Sequence, residues 1–129
     1  MIDMAKEYYP AASFFCCDGA SLFFADRIFH VVISSCVLLH VPNWRQHVFE
    51  TTRVSGAYVV ASRTPVCRDR ATHYMKKFAY DVETVELHFN ESEFIREFLL
   101  NGLELIDAIQ YQANPADDNY DVTYLFRRL

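Results

Sequence analysis

Three of the five histidines in this 129-residue chain, His40, His73 and His88, are the candidates for a general base, because imidazole is the side chain most easily poised to move a proton near neutral pH. Each competes with the plainer reading of a packed or surface histidine. Asp18-Gly19 closes the apolar run SFFCC and is turn chemistry, though it also leaves a carboxylate at what reads as the end of a strand. The four cysteines, Cys16, Cys17, Cys36 and Cys67, sit in or beside apolar runs with no CxxC or Cys/His spacing. They imply no metal site and read as free, buried thiols of a reducing, cytoplasmic compartment. Only three glycines are present, Gly19, Gly56 and Gly102, too widely spaced for any glycine-rich phosphate loop.

Composition narrows the class further. Hydrophobic residues make up 52% and aromatic residues 16%, which excludes disorder and fits one globular domain spanning residues 1–129. A net charge of -5, with Arg and Lys scattered, provides no basic stripe for nucleic acid. The start, MIDMAKEYY, lacks the order of a signal peptide, and the apolar run from Val31 to Val41 is broken by Ser34, Ser35 and His40. No membrane span is expected.

The elements that must position these residues follow from periodicity. Ile2, Ala5 and Tyr9 mark a helix already in progress that Pro10 stops. Ser13 to Cys17 reads as a short strand. Phe29 to Ser35 and Ala57 to Ser62 read as β-branched core strands, the first buried on both faces and central in a parallel sheet. Asn43 with Gln46 predicts a capped helix whose buried side carries Trp44 and Val48. Ala71, Tyr74, Met75 and Phe78 fall at i, i+3, i+4 and i+7, predicting an amphipathic helix over 69–78 with Lys76 and Lys77 at its cation-favouring end. Asn90 with Glu93 predicts another capped helix, with Phe94 and Phe98 on its apolar face and Gly102 just past its end. Leu103 to Tyr111 and Val122 to Arg127 close the chain as an antiparallel hairpin. Such alternation predicts an α/β sheet with helices on its faces.

In order and spacing, the segments MIDMAKEYYP, FFCCDGASLFFADRIFHVVISSCVLLHVPNW, ETTRV and AYVVASRTP resemble the class I S-adenosylmethionine-dependent methyltransferases, in particular the methyltransferase type 11 group. The resemblance covers nearly the whole chain. It implies a Rossmann-like three-layer sandwich, S-adenosyl-L-methionine as cofactor and a small-molecule acceptor. It also implies that Asp18 accepts a hydrogen bond from the adenine amino group while the backbone of Gly19 and Ala20 reads the ring edge. Ser34, Ser35 and Cys36 would then lie against the methionine part of the cofactor, with His40 near its mouth and Tyr74 and Tyr80 shaping the acceptor pocket. Arg63, Arg68 and Arg70 are the cations that could meet an anionic acceptor.

The same resemblance implies what is missing. The family's first two strands and its glycine-rich turn should precede Met1, so the sandwich is expected to be incomplete and the chain to represent the back part of a longer domain. Given the family strand order 3-2-1-4-5-7-6, Phe29 to Ser35 would then present an apolar edge open to self-association. His30 stands where the common motif has Asp. The competing reading is a non-catalytic α/β module that acts by association, supported by the lack of a glycine-rich cofactor turn.

Overall fold

A computed structural model describes residues 1–79 and 81–129. Tyr80, expected to shape the acceptor pocket, lies outside the described residues. After helix α1 (Ile2–Tyr8) comes a stretch of turns and loop to strand β1 (Phe29–Ser35), then a 3-10 turn (Leu38–His40) and helix α2 (Trp44–Val54). Strands β2 (Ser55–Cys67), β3 (His73–Ala79) and β4 (Val82–Asn90) lead into helix α3 (Glu91–Leu100) and the closing pair β5 (Leu103–Asn114) and β6 (Asn119–Arg128).

The six strands form one mixed sheet. β1 runs parallel to β2, Val32 opposite Val59 and Ser35 opposite Ser62. On its other edge β2 pairs antiparallel with β6, and β6 with β5, so the order β1-β2-β6-β5 reproduces the expected 4-5-7-6 arrangement. Farther along, β2 meets β4 in parallel at Val66 and Cys67, which hangs the β3–β4 hairpin from the end of the sheet.

One face of this sheet carries the core. Trp44 and Val48 of α2 and Phe94 and Phe98 of α3 bury completely or nearly so against Val59, Ala61, Phe89, Tyr124 and Phe126. The rings interlock: Phe98 stacks on Phe126 at 4.0 Å between centroids, and Trp44 meets Phe89 edge to face at 5.0 Å. The α3 boundaries are those its sequence specifies. The Asn90 side chain accepts the Glu93 N–H at 3.1 Å, and Gly102 takes φ +83°, a left-handed conformation that a Cβ would strain. On the other face Ile33 is 66% and Ile109 61% exposed, and α1 buries none of its residues, so that face of the open sheet is uncovered by the described residues.

Several local expectations are corrected. Ser13 to Cys17 forms no strand: the stretch makes no ladder, and only Asp18 and Ser21 form an isolated bridge. A short apolar run becomes a strand only when a neighbour takes its N–H and C=O groups, and none of the described residues does so. As a consequence Cys16 and Cys17 are exposed rather than buried, and only Cys67 of the four thiols is buried. β1 lies at an edge and is largely exposed instead of being covered on both faces. Residues 69–78 are not helical. From His73 onward they pair with β4, His73 opposite His88 and Lys77 opposite Thr84, and the two lysines make ion pairs with that strand at 2.8 Å (Lys76–Glu83) and 3.1 Å (Lys77–Glu86). Cross-strand partners outweigh a weak helical periodicity over so short a window. Finally, Asn43 occupies the N-cap of α2, but its side chain makes no capping bond. Its backbone sits at φ -89°, ψ 49°, outside the extended geometry a capping side chain needs, and its carbonyl takes the Gln46 N–H at 3.1 Å.

Candidate functional site

Open α/β sheets bind ligands beyond the carboxyl ends of their strands, and here β1 and β2 end side by side. Asp18 reaches that rim from the preceding segment. Its Oδ1 accepts the Ala20 N–H at 2.9 Å and its carbonyl the Ser21 N–H at 3.0 Å, fixing a tight turn on which the side chain stays exposed. Among the described residues Oδ2 has no partner and is free to accept a hydrogen bond.

Beneath the turn lies His47 of α2, which is buried. A Cβ on Gly19 would come within 2.4 Å of its Cε1 and Nδ1, so glycine is required here by close approach. On its other side the His47 Nε2 is 3.4 Å from the Ser34 Oγ. Burial pushes the imidazole below its ordinary value, opposed in part by the Asp18 charge. One ring thereby separates, and spaces, the Asp18 turn and the end of β1.

The segment after the turn is tied down by an acid and a base one helical turn apart. The Leu22 N–H donates to Glu50 Oε2 at 2.7 Å. Arg53 donates to the Leu22 and Phe24 carbonyls at 2.9 and 2.8 Å, and pairs with Asp26 at 2.7 Å and Glu50 at 2.8 Å. The Arg53 hydrogen bond holds the Glu50 carboxyl below the usual range, and the backbone bond from Leu22 adds to this.

Of the three residues expected at the end of the strand, Ser34 is buried toward His47, Ser35 is exposed, and Cys36 turns away at φ +53° while donating its N–H to the Ser62 carbonyl at 3.2 Å. Cys36 then lines a cavity of about 790 Å³ between the rim of the sheet and the β3–β4 hairpin. His40, Arg63, Lys77, Glu86, Tyr111 and Asp121 are also in its wall, with Leu39, Pro65, Val82 and Val85 as apolar surface. The His40 Nδ1 lies 3.3 Å from the Val85 carbonyl. A carbonyl only accepts, so this contact fixes the proton of neutral His40 on Nδ1 and leaves Nε2 with a lone pair.

His73 and His88 do not line the cavity. Their rings face each other across β3 and β4 at 5.6 Å between centroids, with the His73 Nδ1 on the Ala71 carbonyl at 2.9 Å. Burial holds His88 below its ordinary value, and the neighbouring His73 adds to that. His30, in place of the expected Asp, packs its ring edge to face on Tyr58 at 5.8 Å. Tyr74 is exposed on the opposite face of the hairpin from Lys77, so it is not in the wall.

Sequence reasoning passed over His47, the Glu50–Arg53 pair, Tyr111 and Asp121. An acid and an arginine at i and i+3 on a helix could have marked the pair. Nothing local marks the other three. No group of three or more metal-ligating side chains occurs among the described residues, and no helix there is long and apolar enough to cross a membrane.

Comparison with known proteins agrees with this architecture. Residues 1–60 match the family model described as a methyltransferase domain. No curated protein sequence matches. A protein from Pyrococcus horikoshii OT3 superposes with a TM-score of 0.70 at 14% identity, over 99% of this chain and 66% of its own. Magnesium protoporphyrin IX methyltransferase from Synechocystis PCC 6803, with bound SAM, superposes at 0.68 and 13% identity, over 100% and 55%. The 1,6-didemethyltoxoflavin-N1-methyltransferase of Burkholderia thailandensis, with bound 1,6-didemethyltoxoflavin and S-adenosylhomocysteine, gives 0.66 and 14%, over 98% and 55%. The chain has the class I S-adenosylmethionine-dependent methyltransferase fold, and its first 60 residues match that family, as the sequence resemblance implied. It spans little more than half the length of the Synechocystis and Burkholderia enzymes.

Proposed function

We propose that this chain carries the adenine-binding and acceptor-binding part of an S-adenosyl-L-methionine-dependent methyltransferase acting on a small molecule. The observation that carries the reading is the meeting of the Asp18 turn with the Ser34 end of β1 around His47, beside a cavity whose wall contains Cys36 and His40. The free Asp18 Oδ2 and the close-packed Gly19 fit the edge of a planar base bearing an amino group, which supports the cofactor assignment for Asp18, Gly19 and Ala20. Ser34, Ser35 and Cys36 are assigned to the cofactor by their place at the strand end, Cys36 alone of the three also lining the cavity.

When bound, the cofactor supplies a methyl group already activated on a sulfonium, so the protein needs no nucleophile of its own. Its residues position the acceptor, exclude water and, for a protonated acceptor, remove one proton. His40 is suited to the last step because its Nδ1 contact leaves Nε2 able to accept. His73 and His88 contribute through the packing of the hairpin, which forms one wall of the cavity.

Titration calorimetry of the chain with S-adenosylhomocysteine tests the reading. Micromolar binding is expected, weakened roughly tenfold in Asp18→Asn, where an amide replaces the charged acceptor. A folded chain that releases no heat would overturn the assignment and favour a module acting by association.

A further inference from the structure

The three arginines able to meet an anionic acceptor have separate fates. Arg68 is occupied: it pairs with Glu91 at 2.7 Å, donates to Gln110 at 2.9 Å and covers the Tyr120 ring at 4.0 Å. Arg70 is engaged by Asp118 at 3.5 Å and by the Asp117 carbonyl at 2.5 Å. Arg63 alone lines the large cavity, and among the described residues no carboxylate lies within 4.0 Å of its guanidinium. The other cation contributed by the strands, Lys77, is neutralised by Glu86 at 3.1 Å.

The backbone presents Arg63 there at a cost. β2 and β6 slip register between Ala61 and Thr64, and at this bulge Arg63 adopts φ +55°, its N–H held by the Thr123 Oγ1 at 3.1 Å. Left-handed backbone at a residue other than glycine persists only where the surroundings enforce it, and it gathers at ligand sites. Cys36, across the β1–β2 rim, shares that conformation and the same cavity. The guanidinium interacts most strongly with the Tyr111 hydroxyl, and the Asp121 charge in the same wall also acts on it.

We infer that Arg63 anchors the acceptor through a single carboxylate, and that the acceptor is a small monoanion with an apolar or aromatic body. The guanidinium fork matches a carboxylate in geometry as well as charge. Leu39, Pro65, Val82 and Val85 provide the surface for the body, and the volume falls within the range of small-molecule sites. A dianion such as a phosphate monoester is disfavoured, because the Lys77–Glu86 pair cancels and Asp121 shares the wall with Arg63, the one lining cation without a carboxylate partner among the described residues.

This inference deepens the acceptor half of the proposed function and rests on it. The test uses the full chain with 2-naphthoate and its uncharged amide, 2-naphthamide, as probes, followed by nuclear magnetic resonance titration. Naphthoate is expected to bind roughly tenfold more tightly than the amide, and Arg63→Gln to reduce that preference to about twofold or less. Arg96→Gln, which removes the same charge from the exposed face of α3, should leave the preference intact. Equal binding of the two probes, no binding of either, or a preference that survives Arg63→Gln in a folded protein would overturn the inference. S-adenosylhomocysteine affinity is measured on the same samples and should not change in Arg63→Gln. If it is absent while the carboxylate preference holds, the methyl-transfer reading fails and the anion site stands.

Discussion

The Asp18 turn and the Arg63 cavity share one end of the sheet but are built in opposite ways. Around the turn, the backbone is tied within the chain, Leu22 with Glu50, the Leu22 and Phe24 carbonyls with Arg53, Ala20 with Asp18, while the buried His47 Nδ1 beneath it has no partner among the described residues. Around the cavity, Arg63 and Asp121 have no carboxylate or cation partner among the described residues, and two wall residues hold left-handed backbone. A turn whose shape is fixed before binding loses little order when a ligand arrives, whereas unpaired charges in a wall await a partner from outside. Under the proposed function, the first side would hold a constant donor and the second select the acceptor.

Glu50→Leu is the strongest way to break that contrast. It strips Arg53 of a carboxylate and the Leu22 N–H of its acceptor at a nearly buried position, and should lower the thermal midpoint by roughly 5–10 °C. An unchanged midpoint in a calorimetric scan would mean the loop is not held as described.

Gly19→Val comes next. Overpacking against the His47 ring should destabilise by about 1–3 kcal/mol in urea denaturation, and His47→Ala in the same chain should recover much of the loss. Strict additivity of the two changes would show that the ring and the turn do not touch.

The third prediction concerns pH. His47 and His88 are held by burial below the ordinary value of 6.5, so the unfolded chain binds their protons first as pH falls. Stability should be level above pH 6.5 and decline below it, by up to about 1.4 kcal/mol per pH unit for each histidine. The depressed carboxyls Glu50, Glu91 and Glu93 act at lower pH, as pH falls below their ordinary 4.5. Urea titrations at pH 7.5 and 5.5 should therefore differ, and less so in His88→Gln. Equal stabilities at both values would refute the buried neutral state.

The smallest effect belongs to the cavity. Lys77→Met breaks an exposed pair with Glu86 and should change stability by less than about 0.5 kcal/mol. A large loss would show that the wall is structural scaffold, removing the contrast with the turn.

How much of this was legible beforehand depends on the range over which each signal acts. Asn90, Glu93 and Gly102 specify α3 within a dozen residues, since capping and left-handed termination are local matters of hydrogen bonding and backbone freedom. The β-branched runs at Phe29 to Ser35 and Ala57 to Ser62 likewise announced the parallel pair, and the family order of the sheet followed from the resemblance. Ser13 to Cys17 and residues 69–78 misled because a short apolar run or a four-point periodicity acquires its structure from whichever strand lies beside it.

The amino-acid order alone thus set the strand and helix identities that rest on near neighbours, the helix caps and the turn at Asp18. Tertiary structure decided which residues share a cavity: Cys36 and His40 beside Arg63, Tyr111 and Asp121, while His73 and His88 turn to each other. The reason is that these contacts join segments tens of residues apart, through a register slip in β2 and a hairpin hung from its end. Neither leaves a trace in local sequence.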